Sequence, residues 1–278
     1  MALSPPGVRV GSLSAVGRVA MSIHEGSWAP GTPCWVDITV PDLARSQAFY
    51  RAVLGWEFTE SNEEFGGYTT ALVNGRGAAG MSPPMPGAEA SPSYWTVYLA
   101  TADSAASEAA ITAAGGQVVV PSMAVGDLGS MGIYADPTGA IFGTWQSGEH
   151  TGYDVANEPG AVTWCEGMVG DFEAGKSFYG QTFGYTYTDM SSDGMVYAMF
   201  SVPEGDRPAG GIGHEPGRPP YWSVTFEVDG TDAAAQRVLD AGGAVMVEPF
   251  DFEYGRIAIV SGPDGEPFGL LTSAPMPD

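Results

Sequence analysis

Residues 35–55 read WVDITVPDLARSQAFYRAVLG, and residues 164–184 read WCEGMVGDFEAGKSFYGQTFG. Trp35 and Trp164, Asp42 and Asp171, Phe49-Tyr50 and Phe178-Tyr179, and Gly55 and Gly184 all stand 129 residues apart. The match extends outward from there. Tyr94-Trp95 returns as Tyr221-Trp222 and Ala114-Gly115-Gly116 as Ala241-Gly242-Gly243, both at a spacing of 127. Pro137 to Gly143 returns as Pro263 to Gly269 at 126. A slow drift of this kind marks small loop deletions in a duplicated chain, so the sequence reads as a tandem repeat. The junction falls near Ser147 to Glu158. A chain of 278 residues is long for one domain and comfortable for two.

Each copy divides again into two units of one plan. Trp35 to Val40 alternates as a strand does, and Pro41-Asp42 breaks it. Leu43, Phe49, Tyr50 and Val53 then share one helix face, with Asp42 placed to cap the start and Gly55 to end it. Short strands follow around Tyr68 to Val73 and Gly77 to Met81. A second unit opens with strand Tyr94 to Ala100 and a helix near Ser104 to Ala114. Gly115-Gly116 stops that helix. Strands near Gln117 to Val120, Gly129 to Ala135 and Ile141 to Trp145 complete the unit. The order is strand, helix, then two or three strands, four times over. Phe49-Tyr50, Phe178-Tyr179, Trp95 and Trp222 fall on the helix side and read as core.

Composition excludes several function classes. Ten Lys and Arg against 33 Asp and Glu give a formal net charge of −23. Phosphate is repelled by such a surface, so neither nucleic acid nor an anionic membrane is expected as a partner. No run approaches the ~20 apolar residues of a membrane helix. Cys34 and Cys165 are too few for a disulfide framework or a thiolate zinc site, which fits a reduced, cytoplasmic setting. Residues 1–29, rich in Ser, Gly, Pro and Ala, read as a disordered leader and a poor signal peptide. Met21 offers an alternative start.

The succession of a first strand, Pro41-Asp42-Leu43, Ser46-x-x-Phe49-Tyr50, Leu54-Gly55-Trp56 and later Asp136-Pro137-Thr138-Gly139 resembles the vicinal oxygen chelate superfamily. That superfamily includes glyoxalase I, bleomycin-resistance proteins and extradiol dioxygenases. The likeness covers roughly residues 30 to 273. It is closer still to actinobacterial tandem proteins labelled glyoxalase-like or hydroxylase, which carry Trp-Gln before the junction and Asn-Glu-Pro-Gly after it, here Trp145-Gln146 and Asn157 to Gly160. The resemblance implies an α+β fold of four βαβββ modules, paired into two half-barrels with one cleft each. The expected layout is a domain over 30–148, a linker over 149–158 and a second domain over 159–274.

The resemblance also implies where a metal would sit. Its ligand positions map to Trp35, Thr96 and Gly143 in the first copy and to Trp164, Ser223 and Gly269 in the second. The remaining strands, near Ala78 to Met81 and Ala209 to Gly213, hold no acid or histidine. Divalent ions require imidazole and carboxylate donors converging on one point, which indole, glycine and lone hydroxyls cannot replace. The three histidines are His24 in the leader, His150 in the junction and His214 just past a strand end. No metal and no cofactor are therefore expected, and the superfamily's name does not carry its chemistry to this chain.

Period-two alternation assigns the inward faces. Trp35, Asp37 and Thr39 face the first cleft, joined by Thr96, Tyr98, Ile141 and Trp145. Trp164, Glu166 and Met168 face the second, joined by Ser223, Thr225 and Glu227. Aromatic walls with a few isolated polar groups suit a flat, largely apolar ligand held by stacking and oriented by one or two hydrogen bonds. Asp37, Glu166 and Glu227 are the candidate proton-transfer groups.

The leading expectation is a metal-free protein that binds an aromatic small molecule without transforming it. By resemblance this is a drug-sequestering or accessory protein of antibiotic biosynthesis, working as a monomer or homodimer with a pathway enzyme as a further partner. The alternatives are a cofactor-independent cyclase, isomerase or hydratase that uses an inward carboxylate, and a metal-dependent glyoxalase or dioxygenase. The first cleft, with Trp35, Tyr98 and Trp145, is expected to bind more tightly than the second.

Overall fold

The computed structural model describes residues 22–24, 26–85, 87, 92–192, 194–205 and 207–274. A two-residue strand β1 (Ser22–Ile23) precedes the first module, which holds β2 (Pro33–Thr39), α1 (Leu43–Leu54), β3 (Glu57–Phe58), β4 (Thr69–Val73) and β5 (Arg76–Ser82). The second holds β6 (Trp95–Thr101), α2 (Ser104–Ala113), β7 (Gln117–Val125), β8 (Gly129–Ala135) and β9 (Ile141–Ser147). After β10 (Val155–Ala156) comes the third, with β11 (Val162–Met168), α3 (Phe172–Phe183), β12 (Thr186–Asp189), β13 (Val196–Ser201) and β14 (Gly210–His214). The fourth holds β15 (Tyr221–Glu227), α4 (Thr231–Asp240), β16 (Ala244–Phe252), β17 (Gly255–Ser261) and β18 (Pro267–Ser273). The architecture is α+β, with four βαβββ modules.

Local chemistry places these elements as the sequence indicates. The Asp42 carboxylate accepts from the Arg45 amide at 3.0 Å, and Asp171 accepts from Ala174 at 2.9 Å, so both equivalent helices start on an N-cap. Gly55 and Gly184 end those helices at φ 74° and 72°, a conformation open to glycine at little cost.

Each pair of modules makes one eight-stranded mixed sheet. The strand orders are β3-β4-β5-β2-β6-β9-β8-β7 and β12-β13-β14-β11-β15-β18-β17-β16, and neither sheet closes. Helices cover one face of each sheet, and the helix sides meet. Trp95 and Phe226 lie 5.3 Å apart between ring centres, and Phe49 and Tyr50 pack on Phe268. Reciprocal hydrogen bonds cross the seam. The Tyr50 hydroxyl donates to Glu266 at 2.9 Å and the Tyr179 hydroxyl to Asp136 at 3.1 Å. Trp56 Nε1 donates to the Gly160 carbonyl, and the Tyr185 hydroxyl to that of Gly31. One core therefore serves both halves, and the helix-free faces point outward as two clefts.

The linker over residues 149–158 packs on the first domain: Tyr153 and Val155 are buried, and the Tyr153 amide donates to the Cys34 carbonyl. One expectation needs correction: the leader is not disordered throughout, because Ser22–Ile23 pairs with Val155–Ala156 and the His24 ring stacks on Trp28. The junction supplies an open strand edge that the leader completes. Residues 1–21, including the alternative start Met21, lie outside the described residues. No helix among those described is long and apolar enough to cross a membrane.

Candidate functional site: two clefts built on one plan

Asp37 lies midway along β2, opposite Gly80 of β5 and Thr96 of β6. Trp35 Nε1 donates to the Tyr68 hydroxyl at 2.9 Å. Tyr98 and Tyr68 both donate to Asp37 Oδ2, at 3.1 and 3.5 Å. Burial raises the Asp37 pKa to about 7, and the two phenol hydrogen bonds pull against that rise. Gly80 is required here: a Cβ at that position would fall 1.6 Å from the Tyr68 hydroxyl.

The second cleft repeats the arrangement. Glu166 lies opposite Gly211 and Ser223. Trp164 Nε1 donates to the Tyr197 hydroxyl, which donates to Glu166 Oε2, both at 2.9 Å. A Cβ on Gly211 would meet the Tyr197 hydroxyl just as one on Gly80 would meet Tyr68. Burial raises the Glu166 pKa, and the Tyr197 and Trp164 hydrogen bonds oppose that shift. Thr225 stands where the first cleft has Tyr98, so Glu166 has one phenol partner and Asp37 has two.

The walls differ more than the floors. Trp35 and Trp145, expected as open stacking surfaces, are 3% and 7% exposed. The His150 ring stands edge-on against both, at 4.4 Å from Trp35 and 5.3 Å from Trp145, and the Trp145 indole donates to the His150 carbonyl. The packed junction thus covers Trp35 and Trp145, while Asp37 and Thr96 on the same face stay partly exposed. Trp164 stays partly exposed.

Strand register carries the helix-free face of the second sheet onto its far hairpin. Thr225 pairs with Gly269, Gly269 with Ile259, Ile257 with Phe250 and Gly255 with Phe252. Paired residues share a face, so Phe250 and Phe252 stand on the side of Glu166, and both are exposed. Tyr254, at the hairpin tip, packs on Phe252 at 5.7 Å. Burial is the main cause that raises the Tyr197 pKa, and Tyr254 adds a small electrostatic contribution in the same direction. The exposed aromatic wall therefore belongs to the second cleft.

The other expected residues fall as follows. Thr96 and Ser223 are partly buried opposite the two carboxylates. Thr225 is buried over Gly269, Met168 is partly buried beside Gly213, and Ile141 is exposed at the end of β9. Thr39 is exposed at the end of β2, bonded to Ser82. Glu227 is no free base, because its carboxylate accepts from both the amide and the hydroxyl of Ser273. Buried Trp95, Trp222, Phe49-Tyr50 and Phe178-Tyr179 are core. Tyr68, Tyr197, Phe250, Phe252, Tyr254 and His150 were not among the expected site residues. The 129-residue offset that links Tyr68 to Tyr197 was the signal for that pair.

The donor set does not fit a divalent metal. Trp35, Thr96 and Gly143 in one cleft, and Trp164, Ser223 and Gly269 in the other, offer no imidazole or carboxylate. Each cleft floor holds one carboxylate, already engaged by tyrosine. The Tyr98 ring fills the space a side chain at Gly143 would need, and Thr225 does the same above Gly269. Among the described residues no three His, Cys, Asp or Glu side chains converge. The thiols of Cys34 and Cys165 are buried, and burial raises both pKa values.

The chain is 36% identical over 252 residues to the Mycobacterium tuberculosis protein CFP32, which carries the name of a glyoxylase; the match covers 88% of this chain and 96% of that one. It is 35% identical over 260 residues to the anthracycline biosynthesis protein DnrV of Streptomyces peucetius, covering 88% and 94%. The Mn(II)-bound glyoxalase from Novosphingobium aromaticivorans shares the fold at a TM-score of 0.63 and 15% identity, over 87% of this chain and 82% of that one. Residues 33–71 match the family of bleomycin resistance protein-like N-terminal domains. Residues 161–270 match the glyoxalase/bleomycin resistance protein/dioxygenase superfamily, and with the relatives above this places the chain as a member of that superfamily, also called vicinal oxygen chelate.

Proposed function

We propose that the protein binds an aromatic small molecule in its second cleft without a metal, as a sequestering or accessory protein in the biosynthesis of a specialised metabolite. The observation that carries this reading is the exposed wall of Phe250, Phe252 and Tyr254 on the face that holds Glu166 and Tyr197. Exposed aromatic groups on one sheet face suit a planar ring system, and a hydrogen-bonded carboxylate on that face fixes its orientation. The anthracycline biosynthesis relatives, at 35% identity, support the pathway setting. Binding of this kind needs no catalytic group. The proposed setting is the cytoplasm, with the protein as a monomer or homodimer serving a pathway enzyme.

The test is a titration of EDTA-treated protein with a coloured planar aromatic, followed by quenching of tryptophan emission. Wild type binds. Phe252→Ala loses affinity by ~2 kcal/mol, about 30-fold, as buried aromatic anchors commonly do. Binding that disappears with EDTA and returns with a divalent metal overturns the reading.

A second reading has its own support in Asp37, whose carboxyl titrates near about 7 between two tyrosine hydroxyls. A group of that kind suits proton transfer in a cofactor-independent enzyme. Recovery of the bound compound separates the two. A binding protein returns it unchanged, and an enzyme returns a product whose formation stops in Asp37→Asn.

A further inference from the structure

Hydrogen bonding in the second cleft runs one way, from the Trp164 indole to the Tyr197 hydroxyl to the Glu166 carboxylate. Both groups that support Glu166 are neutral donors, so neither balances its charge. The ion pairs of Lys176, Arg218 and Arg256 go to Glu173, Glu215, Asp232 and Asp251, and none goes to Glu166. The charged neighbour that acts on Glu166 is another acid, Glu215. Glu166 is partly withdrawn from water, and a carboxylate so placed without a counter-charge carries a desolvation cost that a cation reaching it removes. The aromatic wall adds attraction, since ring faces attract cations. The whole chain carries a formal charge of −23, a field that gathers cations and repels anions.

We infer that the second cleft is selective for planar organic cations, with the ligand's positive N–H group on Glu166 and its rings against Phe252 and Tyr254. This rests on the reading of the second cleft as the binding site and adds the charge of its ligand.

Two probes of similar shape test it: proflavine, a planar cation at neutral pH, and acridone, a neutral planar analogue. Wild-type protein binds proflavine about tenfold or more tighter than acridone, the scale of one charge-assisted hydrogen bond. Glu166→Gln collapses that preference, because proflavine loses about tenfold more affinity than acridone does. Tyr197→Phe keeps the carboxylate and so keeps the preference. Equal or tighter binding of acridone by wild type overturns the inference, and so does a preference unchanged in Glu166→Gln. If Glu166→Gln fails to fold, a salt titration of wild type decides. Proflavine affinity falling with added NaCl while acridone affinity holds supports the inference, and salt-independent proflavine binding overturns it. Phe252→Ala separates the two levels of the reading. If it weakens whichever probe binds, the cleft assignment stands even where cation selectivity fails. If it weakens neither, the cleft assignment fails.

Discussion

Tyr98 donates its hydroxyl to the Asp37 carboxylate across the β2–β6 pairing at 3.1 Å, and its ring fills the space above Gly143. One side chain thereby stabilises the ionised form of a partly buried acid and fills the space a side chain at Gly143 would need. Removing the hydroxyl alone isolates the first role. Tyr98→Phe raises the Asp37 midpoint further above about 7, because a bond that favours the charged form is lost. Carbon-13 NMR of labelled carboxyl groups reads that midpoint directly. A midpoint that stays put or falls contradicts the arrangement.

Asp37 also sets a pH dependence of stability. Its folded pKa, about 7, lies above the ordinary value of 3.8, so the folded chain holds this proton more tightly than the unfolded chain. The contribution is full below the unfolded value and is lost as pH rises through about 7. Between about pH 5 and about pH 8 the loss comes to about 2–3 kcal/mol. Glu166 acts in the same direction, since burial also raises its pKa. Urea denaturation of wild type and Asp37→Asn across that range checks this: the amide mimics the protonated acid and does not titrate, so the variant should gain on wild type by about that amount as pH rises. Parallel curves would place Asp37 in water.

The seam between the halves should be strongly coupled. Tyr50→Phe leaves Glu266, 0% exposed, without its cross-domain donor and costs about 1–3 kcal/mol by denaturant titration. Expressed apart, residues 22–152 and 153–274 expose the shared core of Trp95, Phe226 and Phe268 and do not fold independently. Two soluble halves with sharp transitions would contradict one common core.

His150 should act as a cover for the first cleft. His150→Ala uncovers the edges of Trp35 and Trp145, and acrylamide quenching of tryptophan emission rises. Unchanged quenching would mean that other residues of the junction bury the indoles.

The fold was legible because duplication writes every signal twice. Asp42 and Asp171, Gly55 and Gly184, and the paired Tyr-Trp and Ala-Gly-Gly steps mark the same helix and strand boundaries. Alternation separates Asp37 and Glu166 from their buried neighbours Val36, Ile38 and Cys165, since β2 and β11 run without a break from those residues to their ends. It did not reach Phe250 and Phe252, because β16 carries register shifts that reset the phase of two. Nor did it show that Trp35 and Trp145 are covered. His150 sits in a Gly-rich junction without periodicity, and its contact with two distant strands is purely tertiary. Tyr68 was visible only as the partner of Tyr197, and its role depends on the glycine facing it.

The most direct measurement is a crystal structure of EDTA-treated protein soaked with a planar aromatic dye. The account predicts density for one dye molecule in the second cleft, against Phe252 and Tyr254 and within hydrogen-bonding distance of Glu166, with His150 still seated between Trp35 and Trp145. Dye in the first cleft with His150 displaced, or bound only when a metal is restored, would contradict it.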